Sequence, residues 1–155
     1  MLYKKILVAA DGSDSSKEAY KHALSLARLM EAEVCLVHVA ISPEDTWSGY
    51  TTASKLINID ELNAITKEIV ESTLRVCDAD GVIVKTIVAH GKPAKEIVKA
   101  AFDEEVDLII TGGHSIGTVS SIFQGSVSLR VVQTAPCPVM VINDHPGIHT
   151  EVLGS

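Results

Sequence analysis

The chain predicts an α/β domain with a single doubly wound five-stranded parallel sheet and helices on both faces. Three observations carry that class. Short, almost uninterrupted apolar runs recur along the 155 residues, as strands buried on both faces require, whereas a half-exposed antiparallel sheet would alternate apolar and polar residues. Segments with apolar residues at helical spacing separate these runs, so strand and helix alternate with little left over. The run at Leu108 then empties into a loop rich in glycine and hydroxyl residues, Thr111-Gly-Gly-His-Ser-Ile-Gly-Thr-Val-Ser-Ser-Ile-Phe-Gln-Gly-Ser126, and a helix restarts at its end.

The elements follow in order. Ile6 to Ala10 reads as the first strand; Ser13, Asp14, Ser15 and Ser16 are candidate caps for a helix whose inner face is Ala19, Ala23, Leu26, Ala27 and Met30. Glu33 to Val39 is the second strand. Residues 41–58 are polar, with Pro43, Trp47, Gly49 and Tyr50, and are longer than a usual connection, which marks them as functional or mobile. Asp60 is a candidate cap of a second helix with Leu62, Ile65 and Ile69 facing inward, ending near Asp80-Gly81. Val82 to Val88 is the third strand. Pro93 suits a first helical position, and Ala94, Ile97, Val98 and Ala101 form the buried stripe of the third helix. Leu108 to Thr111, Ser126 to Gln133 and Val139 to Ile142 supply the fourth strand, the core of the last helix and the fifth strand. Residues 1–144 then form one domain and 145–155 a tail, whose closing Gly154-Ser155 reads equally as native or as a cloning remnant.

Composition bounds the function. An apolar content of 46% supports one sizeable core. The net charge of -7 opposes long-range attraction to nucleic acid or anionic membrane, and no basic patch relieves it. No run approaches the roughly 18 apolar residues of a membrane helix, and the first apolar run is too short for a signal segment, so a soluble, cytoplasmic protein is expected. Cys35, Cys77 and Cys137 are odd in number and widely spaced, which predicts reduced core residues rather than a disulfide or zinc framework. His22 is expected on the first helix, His38 near the end of the second strand, His90 and His114 in loops, and His145 and His149 in the tail. None has metal-ligand spacing.

In a doubly wound sheet the ligand crevice lies beyond the carboxyl ends of the strands. That rule gathers Asp11, the Val39 to Ile41 stretch and the Gly112 loop around one hollow. Glycines permit close backbone approach, and free N–H groups at a helix start favour a phosphate; the same loop also reads as a plain connection to the last helix. Asp11 suits a divalent ion, a ribose hydroxyl or a cap on the turn into the first helix. Catalysis fits less well. No lysine or arginine lies between Gly112 and Ser126, no G-x4-G-K-S/T or G-x-S-x-G occurs, and Cys137 sits between two prolines. A phosphoacceptor receiver would need a lysine where the fifth strand ends Ile142-Asn-Asp144.

Several blocks together resemble the universal stress protein family over roughly Tyr3 to Asn143: Lys5-Ile-Leu-Val-Ala-Ala-Asp-Gly-Ser13, Val37-His-Val39, Gly91-Lys-Pro-Ala-Lys-Glu-Ile97, Val106-Asp-Leu-Ile-Ile-Thr-Gly112, Gly125-Ser-Val-Ser128 and Ala135-Pro-Cys-Pro-Val-Met-Val-Ile142. The resemblance implies a parallel sheet of order 3-2-1-4-5, homodimers paired through the last strand and, in one branch, regulatory binding of ATP with Mg2+ or Mn2+ at the phosphates. That branch carries a G-x2-G-x9-G-S/T motif, which falls on Gly112, Ser115, Gly125 and Ser126. The second glycine is replaced by Ser115. With the flanking positions of each block, the implied nucleotide-binding residues are Ala9, Ala10, Asp11, Val39, Thr111, Gly112, Ser115, Gly125, Ser126, Val127 and Ser128. The alternative implied by Ser115 is a nucleotide-free homodimeric interaction module with a degenerate pocket, acting through residues 41–58 or the dimer edge.

Overall fold

Aliphatic strands stacked side by side set the architecture, and the computed structural model describes it for residues 2–40, 59–114 and 126–143. The elements run β1 (Lys5–Ala9), α1 (Asp14–Met30), β2 (Glu33–Ala40), α2 (Ile59–Leu74), β3 (Val84–His90), α3 (Pro93–Asp103), β4 (Leu108–His114), α4 (Ser126–Thr134) and β5 (Val139–Asn143). All strand pairs are parallel, in the order β3-β2-β1-β4-β5. This is the five-stranded doubly wound sheet expected of the sequence, in the order the family resemblance implies.

Alternate residues of each central strand serve opposite faces. Ile6, Val8, Val34, Leu36, Leu108 and Ile110 pack beneath α1, where Ala19, Ala23 and Ala27 let the helix approach closely, and Ile69, Val70 and Leu74 of α2 join them. Leu7, Cys35, Val37 and Ile109 meet Ile97 and Ala101 of α3 and Val131 of α4 on the other face. Helices therefore cover both sides, and the central strands have no wet face on which polar residues could alternate. The amino ends are clamped by Asp107: its Oδ2 accepts the N–H groups of Lys4 at 2.7 Å and Lys5 at 3.0 Å, and its own N–H donates to the Lys5 carbonyl at 2.8 Å.

Several expectations are corrected. The second helix ends at Leu74 rather than near Asp80-Gly81. Near its end the hydroxyls of Ser72 and the fully buried Thr73 both donate to the Ile69 carbonyl, at 3.1 and 2.7 Å, and such side-chain bonding competes with the helical ladder. Asp80 (φ 47°) and Gly81 (φ 86°) instead form the turn into β3, so Val82 and Ile83 precede a strand that starts at Val84. Asp60 lies inside the first turn of α2, because the helix already begins at Ile59. Ile65 is 49% exposed, since α2 settles on the sheet through its last turns, around Ile69, Val70, Thr73 and Leu74. His90 ends β3 and His114 ends β4; neither sits in a loop. Residues 41–58, Ser115, Gly125 and the 145–155 tail lie outside the described residues.

Candidate functional site

The winding direction reverses beside β1. The chain reaches β2 by way of α1 on one face and returns from β3 to β4 by way of α3 on the other, which opens a crevice beyond the carboxyl ends of β1 and β4.

The turn leaving β1 is held by its own side chains. Asp11 Oδ1 accepts both the Ser13 N–H, at 2.8 Å, and the Ser13 hydroxyl; Ser13 Oγ caps α1 by accepting the Ser16 N–H at 3.2 Å; the Ser16 hydroxyl donates back to the Ser13 carbonyl at 2.9 Å. Of the roles open to Asp11, the turn cap is therefore present, and it engages only one carboxylate oxygen; Oδ2 has no hydrogen bond among the described residues. Gly12 at φ 84° lets the chain reverse here, in the left-handed region that L side chains enter at a cost.

Gly112 carries the close approach that the glycine-rich loop was expected to need, toward α1. A Cβ on it would lie 2.7 Å from the Ser15 carbonyl carbon and 2.8 Å from the Ser16 nitrogen, so β4 and the start of α1 touch backbone to backbone. Its neighbour Gly113 is the extra residue of a bulge, where pairing passes from Gly112↔Ile142 to His114↔Asn143. A side chain at Gly113 would collide with Asn143 Oδ1 and Val141 Cγ1.

The end of β2 is left open. In a parallel strand the N–H and C=O of one residue point to one side and those of the next to the other. The Val37 carbonyl accepts the Ala10 N–H on the β1 side, at 2.8 Å, while the Ala40 carbonyl accepts the Gly91 N–H on the β3 side, at 3.3 Å. Val39 therefore points its amide and carbonyl toward β1, yet the β1–β2 register ends at Ala9↔Val37. Both groups face the crevice without a backbone partner among the described residues. Beside them the buried His38 ring sets its Nδ1 2.7 Å from the Ala10 carbonyl. A carbonyl only accepts, so Nδ1 carries the proton.

The remaining predicted residues surround this point. Ala10 and Thr111 are buried and Ala9 half-buried at the ends of β1 and β4. Ser126 opens α4 with an exposed side chain, Val127 packs on the α3 and α4 face, and Ser128 is buried. Because α4 links two parallel strands, its amino end returns to the carboxyl edge of the sheet. Ala9, Ala10, Asp11, Val39, Thr111, Gly112 and the Ser126 to Ser128 turn thus share one end of the sheet. His38 was placed correctly on its strand but not recognised as part of this end; a histidine inside an apolar strand was the signal. The cysteines lie elsewhere: Cys35 is buried and Cys77 and Cys137 are half-buried, and burial pushes the thiols of Cys35 and Cys137 up. No group of three or more His, Cys, Asp or Glu side chains suited to a metal occurs among the described residues, nor is any described helix long and apolar enough to cross a membrane.

The family model of the universal stress proteins matches residues 2–143. The chain belongs to the universal stress protein family. Universal stress protein YxiE of Bacillus subtilis is 36% identical over 147 residues, spanning 91% of this chain and 99% of the relative. Universal stress protein MJ0577 of Methanocaldococcus jannaschii is 34% identical over 155 residues, spanning 92% and 96%, and the solved structure of MJ0577 superposes with a TM-score of 0.73 at 31% identity, covering 95% of this chain and 100% of that one. A universal stress protein from Archaeoglobus fulgidus in complex with dAMP matches with a TM-score of 0.66 over 92% and 99% of the two chains; at 24% identity that likeness shows the fold. The likeness of this universal stress protein to its relatives therefore spans nearly the whole chain.

Proposed function

We propose that this universal stress protein binds an adenine nucleotide, ATP foremost, as a regulatory ligand in the crevice beyond β1, β2 and β4. The observation that carries the reading is the open peptide of Val39. It offers one donor and one acceptor side by side, the complement of the acceptor N1 and donor N6 on the adenine edge. The sugar then passes the Asp11 turn, and the phosphates reach the Gly112 to Ser126 loop and the amino end of α4. With a net charge of -7, local amides rather than a basic surface have to hold them. In this reading Gly125 and Ser126 are the proposed phosphate contacts at that helix start, and Ser115, which stands in place of the second motif glycine, is a further candidate.

Mg2+ or Mn2+ suits this arrangement, since such ions keep most of their waters and take one or two carboxylates plus phosphate oxygens; Asp11 Oδ2 is the protein oxygen in position to join them, neutralising phosphate charge. In this reading the protein is a sensor rather than an ATPase, because the loop from 112 to 126 carries no lysine or arginine to stabilise a transferring phosphoryl group.

Calorimetric titration of ATP, ADP and AMP, with and without magnesium, tests the reading. We expect saturation at one nucleotide per chain, with slow turnover at most. No binding by any of the three at millimolar concentration would instead favour the nucleotide-free interaction module, for which Ser115 in the motif speaks.

A further inference from the structure

We propose that His38 is a positioning residue that keeps the Val39 peptide open for ligand by occupying the Ala10 carbonyl; the ligand half of this inference rests on the adenine reading above.

The Ala10 N–H donates to the Val37 carbonyl at 2.8 Å, so Ala10 directs its backbone groups toward β2. In a parallel ladder the next bond is fixed by pattern: the Ala10 carbonyl would accept the Val39 N–H. That bond is missing, and the register stops one step earlier, at Ala9↔Val37. The acceptor is not left empty. The His38 side chain reaches across to it, Nδ1 to oxygen 2.7 Å, from a ring in a residue only 7% exposed.

A buried carbonyl costs free energy unless it is paired, so one donor or the other must take it. The imidazole takes it here and releases the Val39 amide from the sheet. A histidine that served only to fill the core would satisfy itself equally well on any neighbouring carbonyl; this one occupies the single acceptor that would otherwise zip the strand end closed. The β1 to α1 turn can then veer away at Asp11 while β2 continues to Ala40, and the gap between them exposes Val39.

The test is amide hydrogen exchange at Val39 by NMR in nucleotide-free protein, paired with AMP titration, for wild type, His38→Leu and His38→Asn. Leucine removes the donor at similar volume, and asparagine keeps an amide donor close to where Nδ1 sits. We expect a fast-exchanging Val39 amide in wild type and His38→Asn, and exchange slowed about tenfold or more in His38→Leu as the ladder closes. AMP affinity should fall by about tenfold in His38→Leu and return to within about threefold of wild type in His38→Asn. Equal Val39 exchange in wild type and His38→Leu would overturn the proposal. A Val39 amide already protected in the nucleotide-free wild type would do so with no variant at all, should His38→Leu fail to fold. If wild type binds none of AMP, ADP and ATP, the adenine reading falls while the exchange comparison still decides what His38 does.

Discussion

Gly112 and Ser115 separate two meanings of a motif glycine. At Gly112 the requirement is space: a methyl group there would press on the Ser15 carbonyl carbon and the Ser16 nitrogen, both backbone atoms at the start of a packed helix. Gly112→Ala should therefore lower stability by about 2–3 kcal/mol, read as a fall in the denaturation midpoint; an unchanged midpoint would show that β4 and α1 can slide apart. Gly125, at the end of the same motif, is a proposed phosphate contact, so Gly125→Ala should raise the ATP dissociation constant about tenfold while the fold survives. Unchanged affinity in the folded variant would remove that loop from binding. At Ser115 the requirement is torsional if a positive φ is needed, and Ser115→Gly should then tighten ATP binding about fivefold by relieving strain; weaker binding would identify the serine hydroxyl as a phosphate ligand. A single sequence distinguishes these demands poorly. The letters Gly-Gly at 112 and 113 announced close approach, yet only packing reveals that one glycine admits α1 and the other Asn143 and Val141. Asp11 was legible as a turn cap, and Oδ1 fills that role. His38 was visible only as a polar interruption in an apolar run.

At the level of elements, legibility tracked burial. β1, β2 and β4 are continuous apolar runs that nothing but a covered strand explains, and their limits were read within one to three residues. α2 was read less well because half of it barely touches the sheet: Ile59 and Ile65 look like core residues by spacing but stand 70% and 49% exposed. β3 is an edge strand with no fully buried residue, and the turn before it depends on Asp80 and Gly81 rather than on hydrophobic pattern. The histidines at 90 and 114 end strands for a similar reason: hydrogen bonding extends a strand beyond its apolar letters. Asp107 joins two elements through backbone donors that no pattern marks. Asp107→Ala strands the Lys4 and Lys5 amides and should lower stability by about 1–2 kcal/mol, with Asp107→Asn, which keeps an acceptor, costing clearly less. Equal losses in the two variants would assign the effect to charge rather than to hydrogen bonding.

For the whole molecule, β5 is the end strand of the sheet among the described residues; Met140 and Val141 on it are each 39% exposed, and Leu129 and Val132 of the adjoining α4 are more exposed still. An apolar edge of this kind favours pairing with a second copy, as the family resemblance implies. Val141→Lys should shift the protein toward monomer in sedimentation velocity, and a wild type that sediments as a monomer at micromolar concentration would contradict the proposal. The doubly wound class was legible in the alternation of buried strands and helices, whereas the strand order came from the family resemblance, because the same alternation also fits an order 2-1-3-4-5; the observed order brings Ala10, Asp11, Val39, Gly112 and the start of α4 to one end. The measurement that bears most directly on the central claim is a nitrogen-proton correlation spectrum recorded while AMP and then ATP with magnesium are added. The amides of Val39, Ala10 to Gly12, Thr111 to Gly113 and Ser126 to Ser128 should shift together and saturate at one nucleotide per chain. A spectrum that stays unchanged, or one whose shifts fall on the β5 edge instead, would contradict it.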